Sequence, residues 1–180
     1  MKSTSTRDNK ENVMNNQQLR QYFSELRGGN NNAFAAIYND MKTPVYTVIY
    51  RTVGSHETAE DIMQELFLKL FSNPPGDNVK NLRAYIFRSA YNMSVDWLRR
   101  APLTESISDN ISDEGSESDL IVKLDIQSAL QKLTEQERTS VVLRLNAGLT
   151  LIETSRIMNK STATVHRIYT RALKKLREML

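Results

Sequence analysis

ETAEDIMQELFLKLF, residues 57–71, shows two different faces when wound as an α-helix. Ala59, Ile62, Met63, Leu66, Phe67, Leu70 and Phe71 recur at the three- and four-residue spacing of a stripe that faces a core. The opposite arc holds Glu57, Glu60, Asp61, Gln64 and Glu65, with Leu68 among them. A face made only to meet water would mix Lys with Glu at four-residue spacing. Here the sole lysine, Lys69, sits at the margin. The arc is either a solvated face or a surface with a further purpose.

The same helical period runs almost throughout the chain, which predicts an all-α fold. At 180 residues the chain is long for one small core and suits two domains of about 80 residues each. A polar tail, residues 1–18, precedes an amphipathic segment with Leu19, Tyr22, Phe23 and Leu26 that closes at Gly28-Gly29. A second helix starts near Asn32, and Pro44 is expected to break it or to open the next one, which ends at Gly54. The acidic-arc helix stops at SNPPGDN, residues 72–78. Residues 81–100, NLRAYIFRSAYNMSVDWLRR, read as a long helix with a core stripe of Leu82, Ile86, Ala90, Met93 and Trp97.

Residues 101–119, APLTESISDNISDEGSESD, are Ser-rich and acidic, and carry too little apolar surface to offset the chain entropy of folding. This stretch is expected to be a flexible linker between a first domain, 19–100, and a second, 120–180. In the second, helices are expected near 120–133 and over 135–146, the latter opened by a capping box of Thr134 and Glu137. Thr150 and Glu153 repeat that box before a short helix to about Met158. Asn159-Lys160 then turns the chain, Ser161 caps, and a last helix runs to Leu180 with Val165, Tyr169, Ala172 and Leu176 inward. A short helix, a tight turn and a longer helix with basic outer positions make a helix-turn-helix.

Charge is unevenly spread. Residues 1–100 carry a net +3, residues 101–120 a net −6, and residues 121–180 a net +6. A basic C-terminal block suggests a polyanionic partner, most simply nucleic acid. In the 81–100 helix one arc gathers Tyr85, Arg88, Asn92, Asp96, Arg99 and Arg100. Guanidinium forks suit phosphates and guanine edges, and planar amide and aromatic groups suit unstacked bases. The same arc also reads as a solvated face with local pairs such as Asn92–Asp96. In the last helix Thr164, Arg167, Arg171 and Lys174 share an outer stripe, with His166 and Thr170 beside it and Ser161 and Thr162 at its start. Lys174, Lys175 and Arg177 lie where they meet phosphates or complement the helix dipole.

Catalytic signatures are missing from the sequence: it has no Gly-rich phosphate loop, Ser-centred elbow or aligned carboxylate pair. With no cysteine and two distant histidines, neither a disulfide nor a Cys- or His-ligated metal is expected, and the acids at 57–65 lack the oxygen-rich loop calcium prefers. No cofactor is implied. No apolar run approaches the ~18 residues of a membrane span, and residues 1–18 lack a signal-like apolar core, so the expectation is a cytoplasmic protein that does not insert into membranes.

Three stretches together resemble the extracytoplasmic-function group of bacterial RNA polymerase sigma factors. TAEDIMQELFLKLF is similar to that family's polymerase-binding helix, in Ala59-Glu60-Asp61, Gln64-Glu65 and Phe67. LRAYIFRSAYNMSVDWLRR is similar to the next helix, in Asn92, Asp96, Arg99 and Arg100. Residues 133–180 resemble the promoter-reading fourth region. The resemblance covers roughly residues 20–100 and 120–180 with a variable linker between.

It implies that Glu60, Asp61, Gln64, Glu65 and Leu68 dock on the clamp helices of the largest subunit of core RNA polymerase. Leu68 would give a dry contact inside a polar ring. It further implies promoter DNA held partly as single strand by Tyr85, Arg88, Asn92, Arg99 and Arg100. The upstream element would be read as duplex by the last helix, through Ser161, Thr162, Thr164, His166, Arg167, Arg171 and Lys174. The 72–78 loop and the start of the next helix would line a pocket for a flipped base. Some members of the family are held by an anti-sigma factor. Four positions depart from the family pattern: Thr154 and Lys160 where apolar residues are usual, Asn159 for the turn glycine, and Ile168 where arginine is frequent. Asn tolerates a left-handed backbone, and Lys160 can lay its stem on the core. Two other readings stand beside this one: a helix-turn-helix regulator acting without polymerase, and a sigma-like interaction module that has lost DNA reading.

Overall fold

The computed structural model describes residues 14–100 and 126–180, and all regular structure among them is helical. The linker at 101–119, most of the polar tail and the start of the helix expected near 120 lie outside the described residues. The N-terminal unit is α1 (Asn16–Arg27), α2 (Asn32–Val53), α3 (His56–Ser72) and α4 (Leu82–Arg100). The C-terminal unit has α5 over residues 126–131, α6 (Glu135–Val141), a π-helical turn (Val142–Asn146), α7 (Leu151–Ile157) and α8 (Thr162–Met179).

Chain-local chemistry sets most helix starts. Asn15 caps α1, accepting from the Gln17 and Gln18 amides at 2.9 and 3.0 Å. Ser55 caps α3. The capping boxes at Thr134–Glu137 and Thr150–Glu153 both form, and Ser161 caps α8.

α2 lies against α1, α3 and α4 and carries the centre of the core, with Ile37, Met41, Val45, Val48 and Ile49 fully buried. The break expected at Pro44 does not occur: α2 runs through it without interruption. A proline inside a helix costs about 3 kcal/mol or more through its lost N–H and its clash one turn back. Buried aliphatic side chains on both sides of it outweigh that cost, at about 1.5–3 kcal/mol each. A second departure is at 135–146, where the α-helix ends at Val141 and the last five residues wind as a π-turn. Gly148, at φ +65°, then turns the chain, and the Leu149 amide donates back to the Leu143 carbonyl at 3.1 Å.

That π-turn joins the two units. Val142, Leu143, Ala147 and Leu149 belong to the same buried cluster as the cores of α1–α4. Polar contacts frame this apolar seam. Arg51 Nη1 donates to Gln127 Oε1 at 3.0 Å, Tyr91 Oη and Thr139 Oγ1 share a hydrogen bond of 2.9 Å, and Asn81 Nδ2 donates to Glu153 Oε1. Burial pushes the Tyr91 phenol above its ordinary range, against the opposing bond from Thr139. A separate small core of Leu130, Leu133, Val141 and Ala172 holds α5, α6 and α8 together.

Candidate protein and nucleic-acid interfaces

α3 turns its predicted stripe inward. Ala59, Ile62, Leu66, Phe67 and Leu70 are buried and Met63 is half-buried. Glu57, Glu60, Asp61, Gln64 and Glu65 are exposed on the other side, and Leu68 projects among them with 65% of its surface open. Glu65 pairs with Lys69 at 2.6 Å, and no other ion pair forms on this arc among the described residues. Phe71, expected in the core, is 40% exposed. It lies at the edge of a groove of about 440 Å³ lined by Phe34, Tyr38, Gln64, Phe67, Leu68 and Phe71. Phe34 meets Phe71 edge-on at 5.1 Å, Tyr38 meets Phe67 at 4.8 Å, and the Lys42 ammonium lies 5.7 Å from the Tyr38 ring. The sequence put Phe71 on the core-facing stripe of α3, and Phe34 and Tyr38 recur at helical spacing on α2. Their spacing marks an apolar face, yet it does not say that α2 and α3 diverge enough to leave a trough between them.

On α4, Tyr85, Arg88, Asn92, Asp96, Arg99 and Arg100 are all exposed, as their shared arc predicts. Asp96 pairs loosely with Arg99, at 3.8 Å, instead of with Asn92. Leu82, Ile86 and Ala90 are buried as expected, whereas Met93 and Trp97 are only half-buried, and Phe87 and Ser94 complete the inner face. Between α3 and α4 lies a groove of about 480 Å³, into which Lys69, Asn73, Tyr85, Ser89, Asn92 and Asp96 turn. Lys69 and Asn73 are additions that the α4 pattern could not show. A phenol ring, two amides, a carboxylate and an ammonium around an open trough form a surface for a planar polar ring next to an anion. A further cleft of about 510 Å³ separates Asn92, Asp96 and Arg99 on α4 from Glu135, Asn159 and Lys160 of the other unit.

The helix-turn-helix forms as predicted. Asn159 takes φ +51°, the left-handed conformation for which glycine is usual. Thr154 is fully buried and satisfies its hydroxyl on the Thr150 carbonyl at 2.9 Å, which lets a polar side chain occupy an apolar position. Lys160 and Ile168 are half-buried. His166, Arg167, Arg171 and Lys174 form an exposed stripe on α8, with Ser161 and Thr162 exposed at its start. The Ser161 and Thr164 hydroxyls bond each other at 2.8 Å, so Thr164 is tied into the cap more than it is offered outward. Lys174 reaches Glu178 at 4.0 Å.

Lys175 differs from its expected phosphate or dipole role. Its Nζ donates to Glu137 Oε2 at 2.8 Å, closing α8 onto α6. Burial would raise the Glu137 carboxyl, but Lys175 and the Thr134 donors hold it below its ordinary 4.5.

These are the surfaces of a helical chain in two units, with an exposed acidic and apolar face on α3 and basic exposed stripes on α4 and α8. The sigma-70 region 2 profile matches residues 37–102 and the sigma-70 region 4 profile matches residues 129–178, so the chain belongs to the sigma-70 family. Among curated relatives, the ECF RNA polymerase sigma factor SigW of Bacillus subtilis is 27% identical over 180 residues, covering 90% of this chain and 96% of SigW. Among solved structures, CnrH in complex with the cytosolic domain of CnrY superposes with a TM-score of 0.70 at 21% identity, covering 90% of this chain and 96% of that one. The sigma factor RpoE of Bartonella quintana, in complex with the anti-sigma factor NepR, superposes at 0.61 and 20% identity, covering 91% and 94%. The two structural likenesses concern the fold.

Proposed function

We propose that this chain is a sigma factor of the extracytoplasmic-function type, which binds core RNA polymerase, directs it to specific promoters and helps open the duplex. One observation carries the reading: α3 keeps an acidic arc and an exposed Leu68 outside the core, beside the exposed arginine, amide and tyrosine arc of α4, within a region 2 match that is followed by a region 4 helix-turn-helix. Glu60, Asp61, Gln64, Glu65 and Leu68 meet the clamp helices of the polymerase's largest subunit. Tyr85, Arg88, Asn92, Arg99 and Arg100 hold the downstream element, partly as single strand. Ser161, Thr162, His166, Arg167, Arg171 and Lys174 face the upstream duplex, with Thr164 half-buried behind them in the cap of α8.

The protein does no chemistry of its own and acts in the cytoplasm, beside the polymerase. No described helix is long and apolar enough to cross a membrane. The complex of RpoE with the anti-sigma factor NepR supports an anti-sigma factor as a further partner.

In-vitro transcription with core polymerase on genomic fragments tests the reading. The wild-type chain is expected to start at discrete promoters, and Asp61→Arg with Glu65→Arg to abolish this while helicity stays unchanged, since neither side chain touches the core. Unchanged polymerase affinity in that variant would remove this face from the interface. A regulator working without polymerase leaves the acidic arc and Leu68 without a role.

A further inference from the structure

The loop between α3 and α4, residues 73–81, has little structure of its own. A single backbone bond closes it internally, from the Val79 amide to the Gly76 carbonyl at 3.2 Å. Most of what holds it comes from α1, while Asn81 at its end donates to Glu153 of α7 and caps α4 by accepting from the Ala84 amide at 2.9 Å. Arg20 Nη1 donates to the Asp77 carbonyl at 3.0 Å, and its Nη2 donates to the carbonyls of Val79 and Lys80 at 3.1 and 3.3 Å. Arg27 Nη1 donates to the Pro75 carbonyl and its Nη2 to Asp77 Oδ1 at 2.5 Å. One turn before Arg20, Asn16 Nδ2 donates to the Lys80 carbonyl at 2.9 Å, and its Oδ1 accepts from the Leu82 amide at 2.7 Å. Asn16, Arg20 and Arg27 share one side of α1 by helical spacing.

We infer that Arg20 and Arg27 are positioning residues that set the shape of the α3–α4 groove, and through it the base preference at the downstream promoter element. This inference rests on the reading above, in which that groove takes promoter bases. The physical argument concerns direction. The loop opens with Asn73 and leads into α4 one turn before Tyr85, both of which turn into the groove. Loop carbonyls with no partner of their own are free to rotate, and Asn73 would move with them. A guanidinium presents its donors in a fixed plane, so binding two or three carbonyls at once fixes their relative orientation. An ammonium holds charge without that geometry. Asn16 acts at the other end, where it shares with the Asn81 cap the first amides of α4, one turn before Tyr85.

The experiment uses the full chain with core polymerase and a promoter library randomised at both elements. Arg20→Ala, Arg27→Ala and Asp77→Ala are compared with Arg20→Lys and with Tyr85→Ala. Asp77, 78% exposed, can be changed without touching the core. The arginine variants are expected to shift base preference at the downstream element by about five- to tenfold, the low end of what a lost base contact gives. Upstream preference and polymerase affinity should stay as in the parent. Asp77→Ala should give a smaller shift of the same kind, and Arg20→Lys should fail to restore the parent profile. A uniform loss across all promoters, or full rescue by lysine, would overturn the inference, because either shows a merely stabilising role. If Tyr85→Ala shifts the preference and the arginine and Asp77 variants do not, the groove reading stands and the positioning role falls. If Tyr85→Ala also leaves the preference unchanged, both fall.

Discussion

Replacing Leu68 by alanine separates folding from docking. The side chain is 65% exposed, so the fold uses little of it, and the change should move folding stability by no more than about 0.5 kcal/mol. Burying a whole leucine side chain is worth about 1.5–3 kcal/mol, so about 1–2 kcal/mol remains to be gained when a partner covers Leu68. That corresponds to a core-polymerase affinity about 5- to 30-fold weaker in Leu68→Ala. Competition against a labelled parent chain measures it, with thermal unfolding followed in parallel. Leu66 is the internal control: two positions earlier on α3 but 2% exposed, its alanine variant should lose about 2–5 kcal/mol of stability. If Leu68→Ala binds polymerase as the parent does while remaining equally stable, the exposed leucine is not at the interface, and the assignment of this face is wrong.

Arg167→Ala and Arg171→Ala should each weaken upstream promoter binding by about 1–3 kcal/mol if the residue reads a base, whereas a phosphate contact weakens all sequences alike and lowers the salt slope by about one unit; normal transcription by both variants would show that another face of α8 meets DNA. The Glu137 carboxyl is held below its ordinary 4.5, so its stabilising contribution is complete above that value and is lost as pH falls through the lower folded value. Circular dichroism of the parent should therefore show an acid-unfolding limb below about pH 4.5 that Glu137→Gln flattens; an identical limb in the variant would clear the Lys175–Glu137 pair of that role. Leu143, fully buried in the cluster shared with α1–α4, should cost about 2–5 kcal/mol as alanine. Amide exchange should then speed up in α2 as well as in the C-terminal unit, and unchanged exchange in α2 would show that the seam couples the units weakly.

Local periodicity and capping chemistry carry far in this chain. The acidic arc of α3, the exposed arc of α4, the capping boxes at Thr134 and Thr150, and the left-handed Asn159 all follow from residues within a few positions of each other. Such features depend on the backbone's own geometry, which repeats every turn and needs no distant partner. A stripe reports that a face is apolar but not what covers it or how completely. The trough at Phe34, Tyr38 and Phe71, the continuity of α2 through Pro44 and the π-turn that joins the two cores therefore appear only when the helices are packed. The same holds for charges. Lys175 and Glu137 are 38 residues apart and Arg27 and Asp77 are 50 apart, and nothing local to either partner names the other. Which lysines and arginines stay free to meet DNA, and which are spent on the fold, is set by tertiary proximity alone.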